Sequence, residues 1–393
     1  MARVLSEADI VSAHRRGRQL LEVLDGDLVT PQARDTAERL AVTLHEGPLA
    51  TPAPVRSSAA NATQRVLWRR SPRWQARPPA VRVEARRLGK VALVGAGGVG
   101  ANIAHLLCNA DAAAEIVLID VVPGLAESVA LDLLHATGIN RSGAQFGGGA
   151  DLAAVAGADV VVVTAGRPRT PGMDRRDLID VNQRVIRSAA DAIALHAPEA
   201  VVIVVTNPLD EMTLEMLRAT GFPRDRVLGM AGTLDSARFR RALADAAGVG
   251  VADVEAITLG SHGAEMAPIG SLARIKGRPV DVFLDAAAVQ ACAARAVAGG
   301  AEVVALRKTG SATIAPAHAT VEVIDHLRGA RVGAVPVSVA LDGEYGLRGV
   351  VLGVPCHLGP GGLIAVDEWA LAPEERDSLD AAATAIRERI GSV

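Results

Sequence analysis

A glycine-rich turn is the first group of residues in this chain that could do chemistry. The turn reads Gly95-Ala96-Gly97-Gly98-Val99-Gly100 and lies between an apolar run of strand type and an apolar spacing of helical type. In such a turn Gly95 allows the tight bend, Gly97 lets the backbone approach a pyrophosphate, and Gly100 lets the helix pack on its strand. The bare N–H groups at the start of the helix attract phosphate.

An acidic residue completes the pattern. Asp120 ends the next apolar run, twenty residues after Gly100. A carboxylate there accepts hydrogen bonds from ribose hydroxyls and would repel a 2′-phosphate, so NAD is favoured over NADP. A glycine motif alone is weak evidence. With its flanking strands and the spaced acid, it predicts a dinucleotide site.

Two polar clusters follow predicted buried strands, where ligands of open α/β sheets bind. The first is rich in arginine, proline and glycine and indicates a loop that can close over an anion, although a solvated surface loop would look similar. It reads Thr164-Ala165-Gly166-Arg167-Pro168-Arg169-Thr170-Pro171-Gly172-Met173-Asp174-Arg175. The second contains Asn207-Pro208, a candidate cis peptide, and Asn207 offers both a donor and an acceptor. By itself the second cluster is a turn.

Two more clusters are candidates, one with an aspartate and an arginine and one with a histidine. Asp235 and Arg238 share one face of a predicted helix, which taken alone favours a surface ion pair. His262 stands among small residues at a predicted strand end, in Leu259-Gly260-Ser261-His262-Gly263-Ala264-Glu265-Met266. Small neighbours favour a histidine that faces a site, but a lone histidine proves little.

Alternating strands and helices must position these clusters. Continuous apolar runs at 91–94, 116–119, 160–163 and 201–205 are typical of strands buried in a parallel sheet, with a helix predicted over 177–196. Further on, helices are predicted over 235–247, 281–299, 314–328 and 373–390, and strands over 254–259, 334–340 and 349–355. No internal repeat is evident.

The first 88 residues differ from the rest. Residues 1–46 indicate a small helical unit, with a Ser6–Asp9 capping box and a Thr30-Pro31 helix start. Residues 47–88 are rich in proline and arginine and indicate a linker, with a basic docking strip for an acidic partner or RNA as the alternative. The remaining chain divides into 89–233 and 234–393.

Composition excludes several classes of protein. The net charge of −3 argues against a general nucleic-acid or membrane-surface role, and the 2 % of aromatic residues leave few platforms for stacked bases. The three cysteines fit neither a disulfide framework nor a zinc site and indicate a reduced, cytoplasmic protein. No apolar run reaches the length of a bilayer span and no signal peptide is evident.

Taken together, these clusters resemble the lactate/malate dehydrogenase family, specifically its lactate-dehydrogenase-like malate dehydrogenases. The resemblance covers about 89–393 in the family's order, through VALVGAGGVG, VVVTAGRPRTPGMDRRDL, VVTNPLD, AGTLDSARFR, LGSHGAEM, KTGSATIAPA and GEYGLRGVVLGVP. It implies an α/β fold in which a Rossmann parallel sheet is followed by an α+β C-terminal domain, here with an N-terminal helical extension. It also implies NAD, no metal, a cytoplasmic homodimer or homotetramer, and a role in the tricarboxylic acid cycle.

The resemblance assigns a role to each candidate residue. His262 would be the general acid/base, Asp235 would orient it, and Arg175 would polarise the substrate carbonyl. Arg238 would grip one carboxylate of the substrate, Arg169 the other, and Asn207 would orient substrate and nicotinamide. The cofactor residues would be Gly95, Gly97, Gly98, Val99, Gly100, Asp120, Thr164, Ala165, Gly166, Asn182, Val205 and Asn207.

Arg169 and Ala312 favour malate over lactate, because lactate enzymes tend to have glutamine and threonine at these positions. The chain departs from the family at Ala264, where aspartate is usual, and at Thr313-Ile314, where an aromatic pair is usual. One alternative is an L-lactate or broader 2-hydroxy-acid dehydrogenase. A second is a non-catalytic NAD-binding scaffold whose working part is the leader, which docks on a partner.

Overall fold

The structure, a computed structural model, describes residues 4–15, 20–23, 27–46, 85–167, 175–263, 265–308 and 310–391. The chain divides into two compact units, Met1–Ala76 and Arg77–Val393.

The described part of the first unit contains strands as well as helices. Its elements are β1 Val4–Leu5, α1 Glu7–Arg15, β2 Leu20–Val23, β3 Leu28–Val29, α2 Pro31–Arg39 and β4 Thr43–Glu46. Both predicted helix starts are confirmed: Ser6 N–H donates to Asp9 at 2.8 Å, and Thr30 Oγ1 accepts from Ala33 N–H at 3.2 Å. The helical interpretation was incomplete because strands of two to four residues are too short to show an alternating pattern.

This first unit repeats one motif, which the sequence did not reveal. A strand, a Ser or Thr cap, a nine-residue helix and a second strand occur twice in the same order. The halves interlock, since β1 pairs with β3 and β2 pairs with β4, both in parallel. Ile10, Ala33, Ala37 and Val42 form a buried apolar cluster in the described part of this unit. The two halves share only cap types and apolar positions, so residue identity gives no signal.

The second unit holds the predicted α/β pattern. Its strands are β5 Leu88–Val94, β6 Ala113–Ile119, β7 Gln145–Gly149, β8 Val160–Val163, β9 Val201–Val204, β10 Val227–Gly229, β11 Val254–Gly260, β12 Met266–Ile275, β13 Arg278–Pro279, β14 Val335–Asp342, β15 Arg348–Gly359 and β16 Gly362–Val366. Its helices are α3 Gly98–Asn109, α4 Leu125–Asn140, α5 Arg175–His196, α6 Leu209–Thr220, α7 Gly232–Ala247, α8 Ala286–Arg307, α9 Ile314–Leu327 and α10 Pro373–Gly391.

One sheet runs through the described part of this unit. Six strands pair in parallel in the order β7-β6-β5-β8-β9-β10, which is the Rossmann order, and the fold prediction is confirmed. Beyond β10 the sheet continues in antiparallel pairing through β14, β15, β11, β12 and β13, with β16 beside β15. The carboxyl ends of β5, β8 and β9 therefore open towards the loops that carry the candidate residues.

The second predicted helix of the C-terminal half is displaced. The sequence predicts it over 281–299, but α8 spans Ala286–Arg307, after a 3₁₀ turn at Val280–Val282. Asp285 caps the start of the helix, since its side chain accepts from Ala288 N–H at 2.8 Å. It then continues through Gly299 and Gly300, where the predicted range ends, to Arg307.

Helix α8 is also relevant to the prediction that no segment spans a membrane. Among the described residues, this helix alone is long and apolar enough to cross a bilayer by length and composition, although no such run was expected. Helices of soluble proteins meet the same criteria. This one lines the cavity described below through Val297, Gly300, Ala301, Val304 and Ala305.

Candidate active site

A cavity of about 920 Å³ lies at the carboxyl ends of the central strands. Its walls come from the turns after β8 and β9, the loop after β11, and helices α7 and α8. Eight of the predicted site residues line it: Val99, Thr164, Gly166, Asn182, Val205, Asn207, Arg238 and His262. The structure therefore brings these eight predicted cofactor and substrate residues to one cavity.

Asp235 joins the predicted acid/base to a predicted substrate arginine. It is 2 % exposed, in the first turn of α7. One oxygen lies 2.9 Å from His262 Nδ1, and the other accepts from Arg238 Nη1 at 2.9 Å. A carboxylate held from both sides fixes the ring orientation of His262 and leaves Nε2 for a substrate.

The charge on His262 is set by its buried surroundings. Burial lowers the pKa of His262, but the charge and hydrogen bond of Asp235 and the charge of Asp210 raise it, and the net shift is upward. Arg238 opposes the rise. The protonated imidazole therefore persists to a higher pH than in an exposed histidine, as a proton donor to a ketone requires.

The glycine turn has the geometry expected of a dinucleotide site. Gly95 has φ +111°, and a Cβ at Gly100 would lie 1.9 Å from Gly95 O, so close packing requires glycine there. A Cβ at Gly97 would meet no atom within 4 Å. The backbone at the start of α3 is thus open to a phosphate.

Asp120 contacts the glycine turn directly. Its Oδ2 accepts from Ala96 N–H at 2.8 Å and its Oδ1 from Val122 N–H at 2.9 Å. Each carboxylate oxygen retains a lone pair for a ribose hydroxyl. The residues present therefore fit an NAD molecule along the turn, α3 and Asp120.

The side chain of Asn182 forms hydrogen bonds with the protein backbone. It is 1 % exposed, its Oδ1 accepts from Arg167 N–H at 2.7 Å, and its Nδ2 donates to Asn207 O at 2.7 Å. It thereby ties the exit of β8 to the exit of β9. The Asn207-Pro208 peptide in that second turn is cis, as predicted.

The other cofactor candidates support the turn. Thr164 Oγ1 donates to Gly95 O at 3.1 Å, and a Cβ at Gly98 would lie 2.6 Å from Thr313 Cγ2. Ala165 packs against an apolar core cluster. Thr313, at the departure from the family pattern, thus packs on the glycine turn.

Three residues that the resemblance singled out lie wholly or partly outside the described residues. Arg169 and Ala264 lie outside the described residues, and Arg175 is the first residue of α5 with its side chain outside the description. Ala312 lines the cavity as the resemblance requires. The roles of the site residues stay predictions.

Sequence reasoning missed Asp210. This residue is 2 % exposed in the first turn of α6, and its Oδ2 accepts from His262 N–H at 2.8 Å. Burial raises the pKa of Asp210 to about 6. Asp210 and His262 are 52 residues apart, and the only sequence signal was an acid shortly after the Asn207-Pro208 turn.

Two other groups bear on the expected chemistry. Cys108, Cys292 and Cys356 are free and buried, as predicted. Among the residues that the structure describes, no cluster of three or more His, Cys, Asp or Glu side chains could hold a metal ion.

Comparison with known families matches most of the second unit. Residues 89–229 match the lactate/malate dehydrogenase NAD binding domain, and residues 232–393 match the lactate/malate dehydrogenase alpha/beta C-terminal domain. The leader before residue 89 lies outside both matches.

Individual proteins give the same result. The chain is 44% identical over 306 residues to a malate dehydrogenase of Nostoc punctiforme, which covers 78% of this chain and 93% of that protein. A malate dehydrogenase structure from Cryptosporidium parvum has a TM-score of 0.75 at 34% identity, over 77% of this chain and 98% of that one. A lactate dehydrogenase structure from the same organism, complexed with lactic acid and nicotinamide adenine dinucleotide, has a TM-score of 0.75 at 32% identity, over 78% and 98%.

Proposed function

Because the chain belongs to the lactate/malate dehydrogenase family, we propose that it is an NAD-dependent malate dehydrogenase. The reaction is (S)-malate + NAD⁺ to oxaloacetate + NADH + H⁺, and it is reversible. The observation that carries the proposal is the His262–Asp235–Arg238 group in the cavity that also borders the glycine turn.

One side chain transfers the proton, and two others stabilise or bind charge. His262 takes the hydroxyl proton of malate in oxidation and returns it to the carbonyl oxygen in reduction. Asp235 stabilises the imidazolium that forms, and Arg238 binds a substrate carboxylate through a charge-assisted pair. NAD, when bound, supplies the hydride acceptor.

The electrophilic role falls to an arginine in this proposal. Arg175 is the first residue of α5, and the resemblance to the family assigns its guanidinium to polarise the carbonyl in the transition state. Arg169 pairs with the second carboxylate of the diacid. Ala312, a small residue of the cavity wall, leaves room for a diacid.

Arg169→Gln tests the substrate. A diacid bound without its guanidinium leaves one carboxylate partly desolvated and unpaired, which costs roughly two to three decades in kcat/KM. We expect wild type to reduce oxaloacetate far faster than pyruvate with NADH, and the variant to lose that preference. Steady-state NADH oxidation with both substrates measures it.

An arginine elsewhere on the following helix provides the control. Arg184 is exposed on α5 and bonds only its own helix backbone among the described residues, so Arg184→Gln is expected to keep the wild-type preference. An unchanged preference in Arg169→Gln would instead support the L-lactate or broader 2-hydroxy-acid dehydrogenase. Absence of NADH oxidation with either substrate would support the scaffold.

We also propose a cytoplasmic homodimer or homotetramer with a role in the tricarboxylic acid cycle. Leu131 and Leu134 on α4 are 54% and 39% exposed, and such apolar side chains on one helix support a protein interface. A docking role for the leader is supported by Val4 and Leu28, paired neighbours on β1 and β3 that are 57% and 66% exposed.

A further inference from the structure

The backbone of the candidate acid/base is held by a second buried carboxylate. Asp210 accepts from His262 N–H at 2.8 Å through Oδ2 and from Ser338 Oγ at 2.8 Å through Oδ1. One side chain therefore links the first turn of α6, the loop after β11, and β14. It is 2 % exposed, so water contributes little to its solvation.

A hydrogen-bond acceptor alone would not require a charge at this position. A buried carboxylate costs far more than a buried neutral acceptor, and a neutral amide oxygen could satisfy the same N–H. The N-terminal position on α6 offsets part of that cost through the helix dipole. The remaining favourable interaction in the described site is with the protonated ring of His262.

His262 thus has two carboxylate partners. Asp235 contacts ring Nδ1 and Asp210 contacts the backbone N–H of the same residue. Other charged groups of the described structure surround this loop and also influence the titration of His262. They are Arg238 on α7, Glu211 on α6, Glu265 before β12, Arg389 on α10, and Lys308 after α8.

We propose that Asp210 is a positioning residue for the acid/base chemistry, acting on His262 through its main-chain N–H and through its negative charge. The charge stabilises the imidazolium that donates the proton to oxaloacetate, and the hydrogen bond holds the loop so that the ring meets the substrate. This inference rests on the proposed function and adds a residue to it.

The direction of the effect follows from the charges. Burial raises the pKa of Asp210 to about 6, with a further rise from Glu211 and opposing hydrogen bonds from His262 and Ser338. Above that pH the carboxylate is ionised and supports the charged ring. Replacing it with a neutral group therefore lowers the pKa of His262.

Asp210→Asn is the variant that separates charge from shape. The amide can still accept from His262 N–H, and its NH₂ can donate to Ser338 Oγ, so the fold is retained. For oxaloacetate reduction we expect the alkaline limb of the kcat/KM profile to move to lower pH by roughly 0.5–1 unit. The KM for NADH and the melting temperature should stay near wild type.

Asp159→Asn is the matched control. Asp159 is also an aspartate that accepts from backbone N–H groups, those of Gly89 and Lys90, but it lies at the start of β8, at the opposite edge of the sheet. Asp159→Asn should leave the alkaline limb of the kcat/KM profile at its wild-type pH. A folded Asp210→Asn enzyme with the wild-type limb, or an equal shift in Asp159→Asn, would overturn the proposal.

A readout without turnover separates this proposal from the proposed function. His262 can be assigned in NMR spectra by loss of one ring signal in His262→Gln, and its titration can be followed in the full chain without substrate. A lower midpoint in Asp210→Asn supports the inference even if no oxaloacetate is reduced. An unchanged midpoint defeats it even if the enzyme is active.

Discussion

At the scale of single residues, Asp235 carries the most consequential contacts. It holds the His262 ring and the Arg238 guanidinium at 2.9 Å each. In Asp235→Asn the ring loses a charged partner and can adopt the wrong tautomer, so kcat for oxaloacetate reduction should fall by roughly 10²–10⁴-fold. Steady-state kinetics at saturating NADH measure this loss.

The pH dependence gives the same residue a second test. Because the pKa of His262 is raised, reduction should be constant at low pH and fall as the pH rises through that pKa, while malate oxidation rises over the same range. Asp235→Asn should move both limbs to lower pH. Asp245 is the control, because it lies on the exposed side of the same helix, where it pairs with Arg241. Asp245→Asn should leave the pH profiles of reduction and oxidation unchanged. A shift in that variant would indicate a general effect of the charge on α7.

These residue contacts show how far local sequence patterns reach. Gly95, Gly100 and His262 were predicted because their neighbours in the chain carry the signal. Asp210 and Asn182 act on backbone atoms 52 and 25 residues away, so no local spacing could reveal their partners. Tertiary packing determines those hydrogen bonds.

At the scale of elements, α8 explains both a sequence error and a feature of the site. A Cβ at Gly299 would lie 3.2 Å from Arg238 Cδ, whereas one at Gly300 would lie 3.6 Å from Arg238 Nη2, an ordinary contact. The glycine pair lets α8 approach α7 closely without ending the helix. Propensity predicts a break there, but packing overrides it.

The two glycines therefore make a paired test. Both Gly299→Ala and Gly300→Ala should stabilise α8 by about 0.5–1 kcal/mol, since alanine favours the helix. Only Gly299→Ala should push Arg238 aside, raising the KM for oxaloacetate several-fold with little change in the KM for NADH. Thermal unfolding and steady-state kinetics give both quantities; equal KM values in the two variants would contradict the assigned contact.

At the scale of the whole molecule, the boundary of the catalytic unit is set by contacts before the family match begins. The sequence division places the boundary at residue 89, but β5 begins at Leu88, which is 1% exposed. Arg86 N–H donates to Arg328 O at 2.8 Å, and Arg87 pairs with Asp111 at 2.8 Å. The sequence could not show these contacts because both arginines fall within 47–88, the stretch rich in proline and arginine that indicates a linker.

Two truncations test that boundary and the role of the leader together. Deleting residues 1–84 keeps all three contacts, so kcat/KM for oxaloacetate and the melting temperature should remain near those of the full chain. Deleting residues 1–88 also removes the buried leucine, worth about 1.5–3 kcal/mol, and should lower the melting temperature by several degrees. Loss of activity in the shorter deletion, with the oligomer intact by light scattering, would show instead that the leader contributes to catalysis.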